Sequence, residues 1–261
     1  MGRKSFIALG GLGILLLSVI AAPSDGQAPA GPAIVDPKAD ALLKQMSQSL
    51  AAAKAFTFEA STLTDEVTPT GQKIQYSKRS SISVRRPNGV RSVTKGDREN
   101  FTAIYDGKTF VLFNPVANEY ASVPMPDTID AAVDTLAEKY GMVAPLADVL
   151  FTNPYESFTA NLQAGVYLGE HDVNGAQCHH LAFRQATVDW QIWIDTSPQA
   201  LPRKLLITYK TIPGEPQFMA VMDAWNLSPT FAPDTFSFTA PAGAKKIELQ
   251  PVTPPPSQPG R

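Results

Sequence analysis

Cysteine is nearly absent: Cys178 stands alone in 261 residues. That excludes an intrachain disulfide framework, so the chain must draw its stability from a buried core. Charge is also sparse, at 18% of residues with a formal net charge of −2. Nothing in that balance provides the basic footprint of a nucleic-acid or anionic-membrane binder. Histidine is limited to positions 171, 179 and 180. No nucleophile–base pair, phosphate-cradling glycine loop or internal repeat occurs. The apolar run from Phe6 to Ile20 is shorter than the ~20 residues a spanning helix needs.

What is present at the N-terminus is an export pattern: Arg3 and Lys4, the apolar run, then small residues at Ala21-Ala22 and again at Gly26-Gln27-Ala28. Residues 1–28 are expected to be a signal peptide, cleaved after Ala22 or Ala28, with an uncleaved anchor as the alternative. No cysteine follows the run, which excludes a lipid-modified N-terminus, and the chain is expected to be exported. Removing Arg3, Lys4 and Asp25 leaves 20 basic and 23 acidic residues. Residues 29–35 read as a linker, 36–248 as one domain, and 249–261 as a proline-rich disordered tail.

Asp36-Pro37 is an N-cap followed by proline in the first turn, and it opens a helix to Lys54. Ala39, Leu42, Leu43, Met46, Leu50 and Ala53 make one apolar stripe on it. From Phe56 to Val123 the period changes to two, broken by turn signals at Pro69-Thr70-Gly71, Asn88-Gly89, Asp106-Gly107 and Asn114-Pro115. That pattern predicts an antiparallel meander that curls. Residues 127–151 return to helical spacing, with Gly141 dividing two helices, Pro145 in the first turn of the second, and Asn153-Pro154 closing the insertion. Helices in the middle of a meander are expected to cover an edge or the mouth of the curved sheet.

The most informative stretch is Val166 to Lys210. Asn174-Gly175 is a two-residue hairpin signal between strands at about 166–173 and 176–185. Next come strands at 190–195 and 203–210, where Trp190, Ile192 and Ile194 share one face, as do Leu205, Ile207 and Tyr209. Residues 216–225 read as a further strand and 234–241 as a short last one.

His171, Cys178, His179 and His180 form the one constellation that invites a chemical reading. Strand alternation puts Cys178 and His180 on one face and His179 on the other, so the adjacent pair cannot share an ion without distortion. His171, across the turn, is able to approach one of them, which leaves a zinc or copper site open beside ordinary packing. Cys178 and His180 are separated by about 6 to 7 Å along the strand, too far for a thiol–imidazole pair. Asp172, Asp189, Asp195, Asp223 and Asp234 sit near strand ends, where carboxylates serve turns. No catalytic residue, metal or cofactor is assigned.

The Asp36-Pro37 helix, the interrupted meander and the strings CHHLAF (178–183), DWQIWID (189–195) and PRKLLITYK (202–210) resemble the predicted periplasmic DUF2092 family. That family is in turn similar, in the order of its elements, to the LolA, LolB and LppX lipoprotein carriers. The resemblance implies a mainly β fold: a single unclosed antiparallel β-barrel of about eleven strands, with an N-terminal helix and a helical lid over a hydrophobic cavity for acyl chains. Cavity-lining candidates from the alternation are Phe183, Trp190, Ile192, Ile194, Leu205 and Ile207. The lid contributes Leu136, Met142, Leu146 and Leu150. The expected function is non-enzymatic binding of a lipid or lipidated protein by a monomer, with no nucleic acid. The alternative is a cell-envelope protein-interaction or sensor module with no lipid cargo. Periodicity does not separate a hollow interior from a filled one.

Overall fold

The computed structural model describes residues 34–252; the expected signal peptide, most of the linker and residues 253–261 lie outside that range. Strand β1 (Ile34–Val35) leads into helix α1 (Pro37–Ala52). Asp36 caps α1 by accepting the Lys38 N–H at 2.7 Å. Its stripe Ala39, Leu43, Met46 and Leu50 is wholly buried, while Lys38, Ala41, Lys44, Gln45 and Gln48 are exposed, so α1 is an amphipathic helix with one face in the core.

Six antiparallel strands follow: β2 (Ala55–Val67), β3 (Lys73–Arg85), β4 (Gly89–Gly96), β5 (Asn100–Tyr105), β6 (Thr109–Asn114) and β7 (Glu119–Pro124). Side chains close their turns. The Asp106 carboxylate accepts from the N–H groups of Lys108 and Thr109, and the Asn114 amide oxygen accepts from those of Val116 and Ala117. The lid comprises α2 (Ile129–Tyr140), a 3₁₀ turn (Ala147–Val149) and α3 (Pro154–Thr159). Gly141, at φ 65°, ends α2 in the left-handed conformation that glycine adopts without penalty.

The second meander is β8 (Ala164–Val173), β9 (Ala176–Arg184), β10 (Val188–Asp195), β11 (Pro202–Tyr209) and β12 (Gln217–Asn226), with β13 (Lys245–Ile247) near the C-terminus. Its first turn is Asn174-Gly175, with both residues at positive φ, as the sequence predicts. The two meanders join where β12 pairs with β2, giving one sheet in the order β1-β8-β9-β10-β11-β12-β2-β3-β4-β5-β6-β7-β13. The sheet does not close. Its antiparallel part ends at β7 and β8, each capped by a short parallel strand, β13 and β1. The lid connects those two edges, so it must cross the mouth of the curved sheet.

Two expectations are corrected. The string 234–241 forms no strand: Phe236 packs against Gly89 and Arg85, and Phe238 lies 5.6 and 5.1 Å from the Phe113 and Tyr120 rings. Its alternation anchors an irregular strap. Pro145 does not open a second helix. Asn153-Pro154 instead begins α3, with the Asn153 side chain accepting the Glu156 N–H at 3.3 Å.

Candidate functional site

The registers fix which side chains share a face, and the face buried in one cluster with the α1 stripe is the inner, concave one. Ile192 sits between Leu205 and Leu181, and Trp190 between Ile207 and Phe183. Those pairings, with Ile194 two residues beyond Ile192, bring the six strand candidates together on one face beside Leu181. Phe183 and Trp190 stack at 4.3 Å, and Phe158 of α3 leans on Trp190 at 5.4 Å. Phe58 and Trp225 stack at 4.4 Å on the neighbouring strands. Phe183, Trp190, Ile192, Ile194 and Leu205 belong to one buried cluster with Leu43, Met46 and Leu50 of α1; Ile207, Leu136, Met142, Leu146 and Leu150 pack on it while remaining partly exposed.

In this arrangement the concave face is filled. The α1 stripe lies against it, and the lid side chains lie over it. A cleft of about 30 Å³ lies elsewhere, lined by Thr64, Glu66, Tyr76, Lys78, Arg98 and Glu99. It has room for a water or two, far below the roughly 300–1,000 Å³ of a small-molecule pocket.

The same face turns polar along the β2–β3 hairpin. Phe56, Phe58 and Ala60 oppose Val84, Ile82 and Ser80, but Thr62 then opposes Lys78. Ser80 and Thr94 share a hydroxyl hydrogen bond of 2.8 Å, and Thr94 is almost wholly buried. This hydroxyl strip and Trp225 are not among the sequence-predicted site residues, and the α1 stripe is predicted as apolar but not as part of the site. Thr62, Ser80 and Thr94 obey the period of two, and that was the available signal.

The lid is fastened by few polar contacts. Tyr155 Oη donates to Asp40 of α1 at 2.5 Å, which pushes the phenol's pKa up. The Ile129 N–H donates to the Pro87 carbonyl at 2.8 Å, and Arg86 Nη1 donates to the Leu150 carbonyl. Val252 N–H donates to the Lys139 carbonyl at 2.9 Å. Within the lid, Ser157 Oγ donates to Asp148, whose carboxyl is pushed up by burial.

The histidines divide as the alternation predicts. His179 faces inward, 3.3 Å from Tyr167 Oη. His180 faces outward, stacked on Trp193 at 4.0 Å, with ring nitrogens 3.0 Å from His171 Nδ1 and from Gln191 Oε1. Burial lowers its pKa, and the neighbouring His171 and Lys204 act in the same direction. Cys178 is buried, and burial pushes its thiol up to about 11, with Asp195 adding to the shift. Such a thiol is a poor nucleophile. Among the described residues no group of three or more His, Cys, Asp or Glu is placed to hold a metal. The carboxylates mostly serve local structure: Asp195 pairs with Arg203 at 2.6 Å, Asp189 with Lys210 at 2.8 Å, and Asp172 accepts the Gly175 N–H.

Residues 39–250 match DUF2092, described as a predicted periplasmic protein. No curated protein matches the sequence. Among solved structures the chain is similar to the Mycobacterium tuberculosis lipoprotein LppX, with 11% identity and a TM-score of 0.48 over 75% of this chain and 98% of that one. It is similar to an uncharacterized conserved protein from Thermus thermophilus, with 10% identity and a TM-score of 0.46 over 81% and 99%. A LolA superfamily protein from Nitrosomonas europaea gives 10% identity and a TM-score of 0.39 over 77% and 97%.

Proposed function

We propose that this chain, which belongs to the DUF2092 family of predicted periplasmic proteins, is a non-enzymatic carrier that takes an acyl chain of a lipid or lipidated protein onto its concave face. One observation carries the reading: a continuous apolar wall built from Phe183, Trp190, Ile192, Ile194 and Leu205 is covered by a separate helical segment that joins the two ends of the antiparallel sheet, β7 and β8. In the closed form, lid side chains and α1 occupy the wall. Loading therefore requires the lid to move, and an acyl chain replaces Leu136, Met142, Leu146 and Leu150 as the covering surface. Each methylene buried contributes about 0.8 kcal/mol, so a chain of a dozen carbons is able to offset the exposure of those four side chains. No helix among the described residues is long and apolar enough to cross a membrane.

Trp190 offers a direct test, because brominated acyl chains quench indoles they touch. Brominated fatty acid should quench Trp190 in a Trp225→Phe variant and leave Trp193, on the opposite face, emitting. Quenching of neither indole refutes loading on this wall. The filled interior favours a second reading, a cell-envelope protein-interaction module that never opens. Recovery of one stable protein partner, with no lipid bound before or after vesicle incubation, decides for it.

A further inference from the structure

Arg86 follows the last residue of β3, and its N–H donates to the Lys54 carbonyl at 2.8 Å, which fixes it where α1 runs into β2. Its guanidinium is tied to the lid through Nη1 and the Leu150 carbonyl, and it stands 5.4 Å from the centroid of Phe56, itself fully buried. The remaining groups, Nε and Nη2, are withdrawn from solvent and have no hydrogen-bond partner. These two donors share one edge of the guanidinium plane. That edge grips two oxygens of a carboxylate or phosphate side by side. Asp130 lies near enough to favour the charge, but its carboxylate accepts from the N–H and hydroxyl of Thr152 at 3.1 to 3.3 Å. Two buried donors without partners are costly, and an apolar side chain would fill the same place without that cost.

We propose that Nε and Nη2 of Arg86, uncovered when the lid carries Leu150 away, form a subsite for the two-oxygen anionic head of an acyl ligand, a fatty-acid carboxylate held beside the apolar wall. The inference rests on the carrier reading, and it adds the ligand's charge and the end by which the ligand is held. Burial also pushes the Arg86 pKa down, with the Asp130 charge acting in the opposite direction.

The test is calorimetric titration of the full chain with laurate, lauryl alcohol and inorganic phosphate, repeated on Arg86→Gln and Arg86→Lys. Laurate should bind the wild type at least tenfold more tightly than the alcohol. Arg86→Gln should abolish that preference, and Arg86→Lys, which keeps the charge but loses the fork, should reduce it. The wild-type ratio stands even if a variant fails to fold. Equal affinity for laurate and alcohol overturns the subsite and leaves the carrier reading standing. If no ligand binds, both fall together. Phosphate binding that Arg86→Gln removes, without lipid binding, refutes the fatty-acid identity of the anion and the carrier reading while retaining the anion site.

Discussion

Replacing Tyr155 by phenylalanine should loosen the lid by a calculable amount. The phenol donates to the Asp40 carboxylate at 2.5 Å and joins α3, in the lid, to α1, in the floor. A hydrogen bond to a charged group contributes about 1.5–3 kcal/mol. The pair is partly exposed, so solvent screening reduces that to about 1–2 kcal/mol. The phenylalanine ring keeps the packing and the Lys44 cation–π contact at 6.0 Å, so the loss falls on this one bond. For a chain of this size the midpoint of thermal unfolding should drop by about 2–8 °C. If the bond exists only in the closed lid, the ratio of open to closed molecules rises about 5–30-fold. Uptake of a fluorescent fatty acid from vesicles should accelerate by the same factor wherever opening limits the rate. Asp40→Asn combined with Tyr155→Phe should add little to either single change, as expected for residues that act as a pair. A lower melting point with unchanged uptake would show that the segment is structural and not a gate. An unchanged melting point would refute the energy assigned to the bond.

Stability should fall on mild acidification because of His180. Burial lowers its folded pKa beneath the 6.5 of the unfolded chain, so below 6.5 the unfolded state binds more protons. The loss develops as pH falls from about 6.5 to the lowered folded value, and His180→Phe, which keeps the stack on Trp193, should flatten that part of a melting-temperature profile. Cys178, buried with its thiol raised to about 11, should react with a disulfide reagent only after unfolding; fast labelling of the native chain would contradict its placement. Leu43→Ala in the floor should cost about 2–5 kcal/mol by chemical denaturation, because Leu43 is fully buried. Leu146→Ala in the partly exposed lid should cost less than half of that. Equal costs would show that floor and lid are one cooperative core.

Much of the fold is legible because its signals are local. Asp36-Pro37, Asn174-Gly175 and the inward face of Trp190, Ile192 and Ile194 each depend on a few neighbouring residues. The errors arise where one local signal serves two structures. Asn153-Pro154 reads as a terminator, although it is the same cap-and-proline pair that opens α1. Phe236 and Phe238 alternate as a strand does, but they are anchors on the outer surface. The candidate wall residues are nameable from alternation. Which face is concave is not, since Trp193 on the outer face is also buried against Cys178 and Leu206. Nor is the filling of the wall by α1, because that contact joins residues distant in sequence. Arg86 carries no motif; only the tertiary structure shows two of its donors without partners.

The central claim is that the concave face takes up an acyl chain when the lid moves. Native mass spectrometry of the chain isolated from its own envelope, before and after incubation with fatty-acid-loaded vesicles, tests it most directly. A bound species is expected whose added mass matches a lipid and whose occupancy rises in Tyr155→Phe. A clean unliganded mass in every sample, including that variant, would contradict it.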